Sequence, residues 1–343
     1  MQRQQTEYDV QDFASYIRFV PRRRWHWRLL WVSLLLRATV KRRFKAHVEP
    51  GVFRRRVERI DARLARVDPS VRRRPVACDG VGAEWIEVPQ SRSERVILYL
   101  HGGAFALRVP NVHAGIAARW CRRLGARTLM PDYRLAPEHP FPAAPEDCLT
   151  AYRWLLGQGI TPGNVVIAGD SAGGCLALAV LHGIKSAGWP LPRCAVLLSP
   201  AADMEMGGPS WLGNEEADPM FRPDMLALWR DFYVSPDQYG NPLASPLRAD
   251  YHGFPPLLLQ VGSTEMLLNE STRVAEKAHD SGVHVVLEIW QNMPHVFQAI
   301  QFLPEAREAE RHIVRFIREH SGWDRHPDHS AGTGRTSAVE FAG

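Results

Sequence analysis

Between residues 13 and 48 the chain has no Asp or Glu, against ten Arg or Lys. The whole chain carries a net +5, with an isoelectric point near 9.1. Without that stretch, 32 basic residues face 37 acidic ones, a net of −5. The basic character is therefore local. No stacking platform or recognition motif accompanies it, which excludes a nucleic-acid partner. Cysteines are also scarce. Cys78, Cys121, Cys148, Cys175 and Cys194 are odd in number and share no paired spacing. That argues against a disulfide framework and for a reducing compartment, the cytoplasm. No cluster has metal-ligand spacing, and His101 lacks a partner at zinc distance, so neither metal nor cofactor is expected. The uncharged run from Leu29 to Leu36 has eight residues. As a helix it reaches about 12 Å, against a bilayer core of about 30 Å, so it cannot span. It also begins too deep, with no clear small-x-small site after it, for a secretory signal.

What is present is a soluble α/β composition, with 45% hydrophobic residues over 343 positions. That suits one large domain with a smaller accessory part. The most informative stretch is Gly169-Asp170-Ser171-Ala172-Gly173-Gly174. It follows Asn164–Ala168, a β-branched run that reads as a buried strand. It precedes Cys175–Val180, which reads as a helix. Strand, Gly-x-Ser-x-Gly, helix is a nucleophile elbow, with Ser171 exposed at its tip. Gly169 and Gly173 are needed where the backbone reverses, because a Cβ would clash.

Upstream, Arg95–Leu100 reads as a strand running into His101-Gly102-Gly103-Ala104-Phe105. Acyl transfer builds negative charge on a carbonyl oxygen, which needs fixed N–H donors. A glycine-rich loop after a strand can supply them, together with the residue after the nucleophile, Ala172. No Gly-x-Gly-x-x-Gly or P-loop lysine pattern follows, so a nucleotide-binding turn is disfavoured.

With Asp132-Tyr133-Arg134-Leu135-Ala136-Pro137-Glu138-His139-Pro140-Phe141-Pro142-Ala143-Ala144 between these two motifs, the chain resembles the hormone-sensitive-lipase-like branch of the α/β-hydrolases, bacterial esterase family IV. The similarity covers roughly residues 75–320. It implies a mostly parallel central sheet, helices on both faces and a helical cap. It also implies an oxyanion hole at Gly102, Gly103, Ala104 and Ala172, with Gly102 shaping the loop. Ala104 stands where the family often has a third glycine. Its N–H survives as a donor unless the position requires a positive φ.

The acid and the histidine follow the serine in this fold. Pro255–Val261 reads as a strand ending in Gly262-Ser263-Thr264-Glu265. A helix over Asn269–Ser281 and a strand over Val283–Trp290 then lead to His295. Thirty residues fit one loop, one helix and one strand, which returns both side chains to the sheet edge that carries Ser171. Ser171, Glu265 and His295 are thus the expected catalytic residues. The family usually has aspartate where Glu265 stands; Glu270, inside the helix, is the alternative acid.

Three segments remain. Residues 1–50 read as a basic helical cap segment, residues 51–320 as the catalytic domain with a second cap part at 201–250, and residues 321–343 as a disordered tail. The N-terminal segment has two readings that are compatible. It covers the active site, or residues 18–45 rest on the anionic cytoplasmic face of a membrane through Arg, Lys, Trp25, Trp27 and Trp31. The expected partner is a small-molecule ester with a short or medium acyl chain, or a lactone; a homodimer is permitted. The competing classes are an amidase or peptidase on the same triad, a ligand-binding receptor of the same fold, and a membrane scaffold carried by the N-terminus.

Overall fold

The computed structural model describes residues 14–22, 27–42 and 49–323, except the Leu64 side chain. Four of the ten basic positions that the sequence singles out (Arg23, Arg24, Arg43, Lys45), Trp25, and the expected tail beyond residue 323 lie outside them. The first strand and helices are β1 (Ile17–Val20), α1 (Trp27–Leu36) and α2 (Pro50–Leu64); a π-helical turn, Arg37–Lys41, extends α1. The core alternates thereafter: β2 (Arg72–Cys78), β3 (Val81–Glu87), β4 (Val96–Leu100), α3 (Pro110–Leu124), β5 (Arg127–Pro131), α4 (Ala143–Gly157), β6 (Val165–Asp170), α5 (Ala172–Ser186) and β7 (Cys194–Leu198). Short α6 (Ser210–Gly213) and α7 (Pro223–Tyr233) interrupt the rhythm before β8 (Leu257–Gly262), α8 (Leu268–Asp280), β9 (Val285–Trp290) and α9 (Pro304–Ser321).

The nine strands form one sheet in the order β1-β9-β8-β7-β6-β4-β5-β3-β2. Only the β2–β3 and β3–β5 pairings are antiparallel. The central strands are continuous apolar runs because helices cover both faces. In β4 the faces alternate. Val96, Leu98 and Leu100 pack with α4, α5 and α8, whereas Ile97 and Tyr99 pack with α3 and α9. Trp323, the last described residue, is buried against the α9 side, so the core extends past the end of that helix.

Five strands were not named from the sequence: β5 and β7 within the sheet, and β1, β2 and β3 towards its edges. β2 and β3 open the domain as an antiparallel hairpin, and the outer strand β2 begins with three arginines and Pro75. Charge and proline on an edge strand block further pairing. The other edge is β1, from the segment expected to be only a helical cap. Its four residues pair in parallel with Leu287–Trp290 of β9.

The register sets the site. Leu100 lies opposite Gly169, Asp170 opposite Leu198, and Gly262 opposite Trp290. The parallel strands therefore end together, and the loops after β4, β6, β7, β8 and β9 meet at one carboxyl edge.

Candidate active site

Ser171 links β6 to α5 at φ 54° and ψ −120°, a conformation costly for any residue with a Cβ. The elbow glycines are explained by distance. A Cβ on Gly173 would lie 1.9 Å from the Leu100 carbonyl oxygen, and one on Gly169 would lie 2.2 Å from that of Gly173. The helix must therefore touch the sheet backbone directly. Ser171 is held there by its N–H donating to Leu198 O at 2.8 Å.

His295 follows β9, and its Nδ1 lies 2.7 Å from Glu265 Oε2. The other carboxylate oxygen, Oε1, accepts the Ser199 hydroxyl at 2.8 Å and the Gly262 N–H at 2.5 Å. Glu265 is fully buried, so these partners replace its lost water. The Val296 N–H also reaches the Ser199 hydroxyl, at 3.5 Å. The acid and histidine loops are pressed together at Gly262, where a Cβ would sit 2.0 Å from Met293 O. Glu270, the alternative acid, does not bond His295. Its Oε2 accepts the Asp203 N–H at 3.0 Å. Burial pushes its carboxyl up to about 8, although that N–H favours the ionised form.

Gly102 donates its N–H to Asp170 Oδ1 at 3.0 Å and is spent on holding the loop. A Cβ there would lie 2.2 Å from Asp170 Oδ2. Gly103, Ala104 and Ala172 bond their N–H groups to no other described residue. Gly103 has φ 124°, Ala104 φ 52° and Phe105 φ 59°. The Ala104 position thus does adopt the left-handed backbone, and alanine accepts it with its N–H kept. Positive φ at Ser171, Ser199 and Val296 completes a cluster of strain around the site.

Asp170 anchors this loop and was not singled out by the sequence reading. Besides Gly102 it accepts the Tyr99 hydroxyl at 2.9 Å, and His113 Nε2 lies 3.3 Å away. Burial pushes its carboxyl up, but His113, Tyr99 and Gly102 together hold it below the ordinary value. Burial and the nearby His113 push His101 down to about 3, so its ring is neutral. Tyr133 stacks on that ring at 4.2 Å and donates its hydroxyl to His101 O. Arg134 chelates Asp147, and the Ala136 N–H bonds Phe105 O at 2.9 Å. The long motif between the two glycine loops is thus a buttress for the first of them.

Ser171, His295, Gly102, Gly103, Ala104 and Ala172 line one cavity of about 450 Å³. Most of its remaining wall is apolar, although Asp203, Arg230 and Glu270 also line it, and two distant segments contribute to it. Leu36, Val40, Phe53 and Val57 lie on one side, and Met220, Phe221, Met225 and Trp229 on the other. Phe221 sets its ring edge-on to His295, with centroids 4.7 Å apart. A hydroxyl on a strained turn, a carboxylate-bound imidazole and free N–H groups around one apolar cavity are the parts of acyl transfer. The described residues hold no group of side chains able to bind a metal.

The fold and this edge-of-sheet site define a hydrolase class. Comparison with known proteins agrees. A family model described as alpha/beta hydrolase fold matches residues 97–299. An acetyl-hydrolase of Streptomyces hygroscopicus is 40% identical over 241 residues, 70% of this chain and 80% of its own. An esterase of Acinetobacter venetianus is 34% identical over 292 residues, 84% of this chain and 96% of its own. The crystal structure of an esterase from the bacterial hormone-sensitive lipase family superimposes with a TM-score of 0.80 at 38% identity, covering 86% of this chain and 98% of that one. The chain belongs to the α/β-hydrolases, in their hormone-sensitive-lipase-like branch, and is a carboxylic ester hydrolase.

Proposed function

We propose that Ser171 is the nucleophile, His295 the general base and acid, and Glu265 the group that orients and stabilises the imidazolium. The observation that carries this is the Glu265–His295 bond opening onto the cavity that holds Ser171. His295 takes the Ser171 proton as Oγ attacks the ester carbonyl. The oxyanion forms against the N–H groups of Gly103, Ala104 and Ala172, while Gly102 fixes the loop. Collapse expels the alcohol, which takes the proton from His295. Water, activated by the same imidazole, then releases the acid from Ser171. Glu265 keeps the proton on Nδ1 throughout and stays ionised.

The apolar wall suits uncharged esters of short to medium acyl chains, or lactones. Residues from both the N-terminal segment and the 201–250 stretch form that wall, which supports the assignment of both as a cap. Five free, buried cysteines fit a reducing cytoplasm. The basic segment within residues 18–45 supports peripheral contact with an anionic membrane face. Ser171→Ala should abolish hydrolysis of p-nitrophenyl esters with the fold intact, and an organophosphate should label Ser171. Labelling elsewhere would overturn the assignment.

A further inference from the structure

Helix α1 is apolar on both sides. Leu29 and Val32 are buried against Trp290, Phe297 and Leu303, and Leu36 and Val40 continue inward to line the ester cavity. Trp27, Leu30, Trp31, Leu34 and Leu35 point the other way and are 66, 61, 65, 50 and 62% exposed. Their spacing of three and four makes one continuous outer stripe. Phe302, 52% exposed, adjoins its start, because Arg28 bonds the Phe302 carbonyl. A contiguous exposed apolar stripe of this kind marks an interaction site.

We infer that this stripe enters the headgroup boundary of an anionic bilayer, and that the cavity behind it takes esters dissolved in that bilayer. The charge pattern selects the occupant. Arg22 and Arg28 flank the start of the stripe and Arg42 its end, all exposed, in a stretch without a carboxylate. Tryptophans among cations are the side chains of an interfacial helix. A second copy of the chain fits worse, since two-fold pairing would set these positive ends against each other. No described helix is long and apolar enough to cross a membrane, so the attachment is superficial. Because Leu36 and Val40 belong to the same helical stretch, bilayer contact and cavity wall are one element. The substrate half of this inference rests on the ester-hydrolase site proposed above.

The test uses the full-length protein with phosphatidylcholine vesicles, with and without phosphatidylglycerol. Trp31→Glu combined with Leu34→Glu alters the stripe without touching the cavity. The wild type should sediment with the anionic vesicles, and part of that binding should survive high salt. The double variant should bind about tenfold more weakly. It should hydrolyse soluble p-nitrophenyl butyrate normally, yet lose rate on a long-chain p-nitrophenyl ester dissolved in the vesicles. Equal vesicle binding by both proteins, or none by the wild type, overturns the inference. So does a wild-type dimer in sedimentation velocity that ignores vesicles and that the variant turns into monomer. Vesicle binding without butyrate hydrolysis by the wild type would instead overturn the reading of the ester site.

Discussion

Glu265, the proposed acid, has a longer side chain than aspartate, and its hydrogen bonds fix the extra length. Its outer oxygen binds His295, while its inner oxygen is tied to Ser199 and Gly262. Glu265→Gln removes the charge opposite the imidazolium and permits the wrong tautomer. kcat should fall on the order of 10⁴, the scale seen for the equivalent change in a serine protease. Ser199→Ala removes one of two bonds to the inner oxygen. A bond to a charged group contributes about 1.5–3 kcal/mol, so kcat should fall roughly tenfold or more with KM little changed. Unchanged kcat in Ser199→Ala would mean that Gly262 alone suffices. Ala104→Gly removes only a methyl at a left-handed position, so activity should be largely retained. Glu270 behaves differently, because its carboxyl is raised to about 8 in the fold. The native state then holds this proton while the unfolded chain has released it above the ordinary glutamate value near 4.5. Its contribution to stability is complete below that value and is lost as pH rises through about 8. Glu270→Gln should therefore flatten the fall in Tm between acid and mildly alkaline buffer, as read by calorimetry. Parallel pH profiles for the two proteins would count against this.

At the scale of elements, the elbow, the oxyanion strand and the late strand–helix–strand were legible, because each places a chemical residue type at a strand end. Strand β6 runs on to Asp170, two residues past the apolar run, since its last residues still pair with β7. Helix α5 begins immediately after Ser171. The edge elements were not legible. β1 has four residues amid arginines and lacks a periodic pattern of its own; β9 imposes its extended form. β2 reads as a charge cluster, although its position at the edge makes charge an advantage. Asp170 and Ser199 also escaped notice, because their partners Gly102 and Glu265 lie 68 and 66 residues away in sequence. Gly262 gave no signal either, since its need for a missing Cβ arises only where two loops cross. There a methyl would meet Met293 O, so Gly262→Ala should drive the acid and histidine loops apart. kcat should drop far more than Tm. An active Gly262→Ala would show that the histidine loop can yield.

Across the whole molecule, two segments 177 to 181 residues apart in sequence are joined beside the cavity. Arg37 Nη2 donates to Glu216 O at 2.7 Å and to Ala217 O at 2.9 Å, and Lys41 Nζ donates to Asp218 O at 2.7 Å. Arg222 returns a bond to Lys41 O at 2.9 Å. The segment held in this way grips the acid loop. Asp218 Oδ2 accepts the Met266 N–H at 3.0 Å, and Asn214 Nδ2 donates to Glu265 O at 2.8 Å. The N-terminal basic residues therefore reach the backbone of the loop that carries Glu265 through one intervening segment, and Phe221 of that segment sets its ring against His295. Loosening the first link should be felt at the last. Arg37→Ala combined with Lys41→Ala removes donors but leaves every core side chain in place. KM should rise, because Leu36 and Val40 lose their fixed place in the cavity wall. kcat should also fall severalfold, because Glu265 is less firmly aimed. Steady-state kinetics on one soluble ester separate the two effects. A rise in KM with kcat unchanged would show that the N-terminal segment only walls the cavity, and that Asp218 and Asn214 hold the acid loop without its help.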